Sequence, residues 1–280
     1  MEITTLPKDL NIVDTSHIQI FNYSRTQDIH KSKIKLAKHT ISFLQTGIKE
    51  VIGDDERIKI NKDHFVIMKA GNCLMTENVS ESNKSYQSIL LFFSDSTLLS
   101  FLEKYNHLSN NQIYQKAFTV FKYDDFIKNY VGSLKQMLNF PLSIQGPLLQ
   151  HKFEEIMLYL LHQNNANFLN ALASKIDDKQ LRLMNVSDKN RFNKLSLKEL
   201  AFLCNMSLST YKRAFFKAHQ STPMKWFSEQ RLNHVAFLLQ QKRNLPIELF
   251  EQAGYENFTN FVQAFKKRFG LTPKQYQEQS

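Results

Sequence analysis

The sequence predicts an α+β protein in two parts. The first half is β-rich, a small barrel or sandwich followed by helices, and the C-terminal domain is all-α around a doubled helical unit. Three observations carry this. Short β-branched and aromatic runs separated by turn-forming residues fill residues 17–94. Apolar residues at three- and four-residue intervals then take over to about residue 172. Lastly, FVQAFKKRFGLTP at 261–273 has a paler copy at 211–223, YKRAFFKAHQSTP, both basic and both ending in Thr-Pro.

Taken in order, the strand runs are HTISFLQTGIKEVI, ERIKINKDHFVIMKAG and SYQSILLFF, divided by GDDE and ESNK. Short strands at this spacing suit a small antiparallel barrel or sandwich. Helices follow in SDSTLLSFLEKY, whose Ser and Asp are cap candidates, in YDDFIKNYVGSLKQML, and in the stretch from Leu148 to Leu161. That last helix is apolar enough either to cover its own sheet or to form a dimer seam. Residues 174–194 are polar, with a weak helical pattern at Leu181, Met184 and Val186. The domain boundary is therefore expected between 173 and 174, giving domains 1–173 and 174–280.

With 280 residues the chain can bury a core in each domain. Its net charge of +10 is unevenly placed. Residues 175–280 hold 18 Lys and Arg against 9 Asp and Glu, whereas the rest of the chain is almost balanced. A basic domain beside a neutral one points to a polyanionic partner for the basic one alone. There is no apolar run of about 18 residues to span a membrane and no export signal at the N-terminus. Cys73 and Cys204 read as reduced, buried thiols, and the expected location is the cytoplasm.

The doubled unit begins with Ser196, an N-cap with Glu199 at the capping-box spacing. Leu197, Leu200, Ala201 and Cys204 form a short apolar stripe. Asn205 suits a left-handed turn, and Ser207 caps a second helix buried through Leu208, Tyr211, Ala214 and Phe215. In the second unit Pro246 opens the first helix, with Ile247, Phe250 and Ala253 as its inward stripe, and Gly254 makes the turn. Asn257 or Thr259 caps the next helix, which buries Phe261, Ala264 and Phe265 and stops at Gly270. Residues 224–243 read as one amphipathic connector. Helix, tight turn and helix with a basic outer face is the helix-turn-helix plan, whose second helix lies in a DNA major groove. Two such units on one connector suit successive grooves.

Here the sequence resembles the DNA-binding domain of the AraC/XylS family of bacterial transcription regulators. The family wording I-x-x-I-A-x-x-x-G-F followed by S-x-F-x-x-x-F-K-x-x-x-G-x-x-P-x-x-Y is met by Gly254-Tyr255, Phe261, Phe265-Lys266, Gly270, Pro273 and Tyr276. The first unit offers Leu200-Ala201, Met206-Ser207, Arg213, Phe215 and Pro223, and the connector offers Arg231-Leu232, Ala236 and Leu238-Leu239. Phe250, Gln263, Asn205 and Gln220 depart from the usual residues.

The resemblance implies that the exposed positions of each second helix read bases. These are Ser209, Thr210, Lys212 and Arg213 in the first unit, and Phe258, Thr259, Val262 and Gln263 in the second. Arg or Lys pairs with guanine, Gln with adenine, and Phe or Val touches a thymine methyl. Lys217, Lys225, Lys266, Lys267 and Arg268 are assigned to phosphates. For any single lysine a solvated helix face is the plain alternative.

For the first half the resemblance implies a cupin-like β-barrel with following helices that senses a small-molecule or protein effector and mediates dimer contacts. Lys35, Lys38 and His39 are candidate residues for an anionic effector at the barrel mouth. The partners implied are double-stranded promoter DNA and RNA polymerase, with a homodimer as a further possibility. The expected function is a sequence-specific regulator, more often an activator than a repressor. No catalytic residue, metal or cofactor is expected: the chain lacks His-x-His, GxSxG, GxxxxGKS and HExxH, and His64 stands alone in its strand. Two rivals remain, a nucleic-acid binder without sequence preference and a partner-binding cupin protein with a basic tail. A membrane partner is disfavoured, because the cations lie on short globular helices.

Overall fold

A computed structural model describes residues 2–12, 17–54, 56–82, 84–105, 116–164, 167–173, 179–241 and 244–279. The chain divides into two compact units, residues 1–177 and 178–280. The boundary expected at 173/174 adjoins residues 174–178, which lie outside the described residues.

The first unit holds two five-stranded sheets. Its strands are β1 (Ile3–Leu6), β2 (Ile18–Arg25), β3 (Ile29–Leu36), β4 (His39–Thr46), β5 (Ile48–Ile52), β6 (Arg57–Ile60), β7 (His64–Met68), β8 (Gly71–Asn78), β9 (Tyr86–Phe93) and β10 (Phe118–Lys122). One sheet runs β1-β3-β8-β5-β6 and the other β10-β7-β4-β9-β2. Pairing is antiparallel except between β1 and β3. Of the expected barrel or sandwich, the strands form a sandwich: the sheets meet through side chains, with no ladder joining their edge strands into a closed barrel among the described residues.

Period-two alternation explains the layering. In β4, Leu44 packs between the sheets, while Ile41 and Phe43 point the other way, under helices. In β9, Leu90 and Phe92 fill the sandwich, and Ile89, Leu91 and Phe93 meet the helices. A sheet buried on both faces has no polar side to show, hence the near-continuous apolar run SYQSILLFF.

The covering helices are α1 (Asp95–Lys104), α2 (Asp125–Met137), α3 (Leu142–Asn164) and α4 (Asn167–Ala173). Ser94 and Asp124 cap α1 and α2 through their side chains. Helix α3 buries Leu149, Phe153, Ile156, Met157 and Leu160 against its own sheet, with the Phe153 ring 4.9 Å from that of Phe93. Two strands fall outside the predicted 17–94 window. β1 sits at the N-terminus, and β10 returns after α1 to pair with β7.

The second unit is helical: α5 (Lys179–Lys189), α6 (Leu197–Leu203), α7 (Leu208–His219), α8 (Pro223–Gln240), α9 (Pro246–Leu249), α10 (Phe258–Phe269) and α11 (Pro273–Gln279). In α5 the buried residues are Leu183, Val186 and Ser187, while the expected Leu181 and Met184 are exposed. Cys73 and Cys204 are both buried, one in each unit, and burial pushes the Cys73 thiol up to about 12.

Candidate nucleic-acid interface

The two helix pairs of the second unit are built on one template. Ser196 closes a capping box onto α6: its hydroxyl accepts from the Glu199 N–H, and the Glu199 carboxylate accepts from the Ser196 N–H at 2.7 Å. Ser207 caps α7 by accepting from the Thr210 N–H at 3.2 Å, and Asn257 caps α10 by accepting from the Asn260 N–H at 2.9 Å. Between helices the chain turns at Asn205 (φ 55°) and at Gly254 (φ 84°). Both long helices stop at a left-handed residue, Gln220 (φ 50°) and Gly270 (φ 79°). There the N–H groups of Gln220 and Gly270 bond the carbonyls of Phe216 and Lys266, each at 2.8 Å. Asn tolerates that backbone better than Gln does, so Gln220 is the strained member of the four.

Gly254 has a second constraint. A Cβ there would stand 2.9 Å from Arg231 Nε, so any side chain would displace the arginine that α8 lays across the turn.

Helix α8 anchors both pairs. Near its start Trp226 and Phe227 pack on Phe215 of α7, with ring centroids at 5.6 and 5.8 Å. Further along, Leu232, Val235, Ala236 and Leu239 share a core with Leu249, Ala253, Phe261 and Phe265. The helix of 18 residues is about 27 Å long at 1.5 Å per residue. The short α9 departs from the expected stripe: Leu249 is fully buried where Ile247 was expected, and Ile247 is 51% exposed. With Pro246 at the first turn, the inward face falls on 249 and 253.

Among the predicted base readers, Ser209, Thr210, Lys212, Arg213, Thr259 and Gln263 are exposed. Phe258 and Val262 are half-buried and pack on the core around Phe261 and Phe265. The ring of Phe258 lies 6.0 Å from that of Phe261. Both side chains are thus committed in part to the core. Sequence reasoning passed over Asn260, exposed at the position that Thr210 holds in the first helix pair; aligning α7 with α10 residue by residue would have found it. The phosphate candidates Lys217, Lys225, Lys266, Lys267 and Arg268 are all exposed. Arg268 lies over the ring of Phe269, 6.0 Å from its centroid.

In the first unit the effector candidates do not converge. Lys35 is exposed on β3, and Lys38 Nζ donates to Gln19 Oε1 at 2.9 Å. His39 is buried, stacked on Phe93, and has both ring nitrogens engaged. The Ala70 N–H donates to Nδ1 at 3.2 Å, so the proton sits on Nε2 and is given to Asp95 at 2.8 Å. Burial, opposed by Asp95, lowers the pKa of this imidazole. His39 is held within the fold through both ring nitrogens.

A different polar cluster lies between the sheets. Lys49 and Glu77 are directly opposed across the β5–β8 ladder and form an ion pair at 2.9 Å, their side chains 3% and 6% exposed. Tyr23 donates to the second oxygen of Glu77 at 2.8 Å. Burial and the adjoining carboxylate push the Tyr23 hydroxyl up to about 12. The cluster borders a cavity of about 110 Å³ whose apolar wall includes Ile34, Met75 and Leu90. Alternation held the clue: Lys49 shares a strand face with Val51, and Glu77 shares one with Cys73 and Met75.

Comparison with known proteins matches both units. Residues 39–171 match the family described as the ExsA N-terminal regulatory domain, and residues 200–279 match a helix-turn-helix domain. The virulence regulon transcriptional activator VirF of Yersinia enterocolitica is 30% identical over 129 residues, 46% of this chain and 48% of that protein. The HTH-type transcriptional regulator ExsA of Pseudomonas aeruginosa is 24% identical over 123 residues, 44% of each chain. The aligned part of the chain spans about half the length of these relatives. Among solved structures, ToxT from Vibrio cholerae aligns over 94% of this chain and 98% of its own, at 13% identity and a TM-score of 0.41.

Proposed function

Because this chain belongs to the AraC/XylS family of bacterial transcriptional regulators, we propose that it binds promoter DNA sequence-specifically and activates transcription there. In this reading α7 and α10 enter successive major grooves on one face of the duplex, roughly 34 Å apart. The observation that carries it is the repeated frame of the two helix pairs: caps, left-handed turns and stops recur in the same order, with α8 packed into both cores. The base readers proposed are Ser209, Thr210, Lys212, Arg213, Thr259 and Gln263, with Phe258 and Val262 contributing through their outer edges. Lys217, Lys225, Lys266, Lys267 and Arg268 neutralise phosphates. RNA polymerase and a second copy of the chain are the further partners proposed, in the cytoplasm. The family's members are regulators, and the proposal gives this chain no reaction to catalyse.

Arg213→Ala tests the reading directly. At one base pair of the site, discrimination should fall by about 5- to 150-fold, the value of one paired contact of about 1–3 kcal/mol. Lys267→Ala should instead weaken binding to all sequences and reduce the salt slope by about one. Competitor DNA of scrambled sequence that displaces the protein as well as its site would favour the rival without sequence preference.

The first unit is proposed to set when activation occurs, in response to a small-molecule or protein effector. Its interior cavity beside Lys49, Glu77 and Tyr23 is a better-formed receptor than the exposed Lys35 and the tethered Lys38. In a promoter-reporter assay, Ser32→Phe, which fills the cavity, should abolish induction, and Lys35→Ala and Lys38→Ala should leave it intact. The reverse pattern would return the site to the strand end.

A further inference from the structure

The outer face of α7 carries an aromatic residue that the reading above does not use. At about 100° per residue, Ser209, Lys212, Arg213 and Phe216 share an arc roughly 100° wide. All four are exposed. Phe216 is 52% exposed, whereas the adjacent Phe215 is fully buried. A single exposed aromatic residue on a surface means little; its place here means more. It lies at the centre of that arc, on the side facing away from the buried Tyr211 and Phe215. At the matching position of α10 the chain has a cation, Lys266. The two helix pairs therefore differ in chemistry at this point.

Resting on the DNA-binding reading, we propose that Phe216 is a specificity-determining residue of the first helix pair that receives the 5-methyl group of a thymine. Lys212 and Arg213 are donors only and read acceptors such as guanine O6 and N7. The thymine methyl is the apolar mark that a base pair shows in the major groove, and a phenyl ring is suited to cover it. Phe216 stands one helical turn beyond Arg213 and Lys212, about 5.4 Å along the axis. Base pairs are spaced about 3.4 Å apart, so the thymine lies one or two base pairs from the guanine read by Arg213.

The test uses the full chain and its bound site, with each thymine replaced singly by deoxyuridine, which removes the methyl and keeps the pairing. Wild type should lose about fourfold in affinity at one thymine, the worth of one buried methyl group. That thymine should lie within two base pairs of the position whose preference Arg213→Ala relaxes. Phe216→Ala should bind the thymine and uracil duplexes equally at that position, with its salt slope unchanged. Phe216→Lys, copying the second helix pair, should also lose methyl sensitivity while its salt slope rises by about one. Methyl sensitivity retained in Phe216→Ala, or absent from a wild type that still binds its site selectively, overturns this inference alone. A wild type with no selective binding overturns the DNA-binding reading together with it.

Discussion

Glu77→Ala should cost the first unit about 3–5 kcal/mol, because it leaves the Lys49 ammonium between two sheets with its counter-ion gone. The pair itself is no great source of stability, since burying two charges is expensive. A double replacement by apolar residues of similar volume, Lys49→Met with Glu77→Leu, is expected to be close to neutral. Denaturant unfolding of wild type, single and double variants at pH 7 checks this. The pattern expected is one large loss and its near-complete recovery.

The pH dependence follows from the same pair. Burial alone would raise the Glu77 carboxyl, but the Lys49 charge, with hydrogen bonds from Lys49 and Tyr23, outweighs it and holds the carboxyl below its ordinary value. Burial likewise opposes the Lys49 ammonium, and Glu77 reverses the sign, so Lys49 lies above its ordinary value. A carboxylate depressed in the folded state stabilises above its unfolded pKa of about 4.3 and loses that contribution as pH falls. A raised lysine stabilises below its unfolded pKa of about 10.4 and loses that contribution as pH rises. The difference between wild type and Glu77→Ala should therefore be flat near neutrality and shrink under acid.

Phe265→Ala is the second large effect, about 3–5 kcal/mol from the second unit. Its ring is fully buried, with Phe269 at 4.5 Å, Tyr276 at 5.4 Å and Phe261 at 5.7 Å between ring centroids. The same truncation at Phe216, on the outer face of α7, should stay within about 0.5 kcal/mol. Unfolding curves that ranked the two phenylalanines equally would refute the division of α7 and α10 into buried and outward faces. Because α8 shares its core with Phe265, the variant should also lose protection of the second groove before the first.

Much of the second unit was legible because its signals are local. Ser196 with Glu199, Asn205, Gly254 and Gly270 act within four residues of themselves, and the periodicity of Tyr211, Phe215, Phe261 and Phe265 fixes which face is buried. Where only four residues of α9 are helical, periodicity had too few turns to separate Ile247 from Leu249. The first unit was less legible because its contacts are distant in sequence. β1 pairs with β3 across some 30 residues, and β10 reaches β7 across more than 50. The alternation of Lys49 and Glu77 with apolar neighbours shows that both face inward, but not that they face each other. The burial of His39 was hidden for the same reason. A polar residue at a strand start reads as solvent-facing until Asp95 and the Ala70 N–H, 56 and 31 residues away, are known to close over it.

Whether two helix pairs on one connector occupy neighbouring grooves of one duplex can be read from hydroxyl-radical footprinting of the full chain on bound promoter DNA. Two protected tracts are expected on the same DNA face, about one helical turn apart, with Arg213→Ala weakening the first and Gln263→Ala the second. Protection of a single groove, or of none, would contradict this placement.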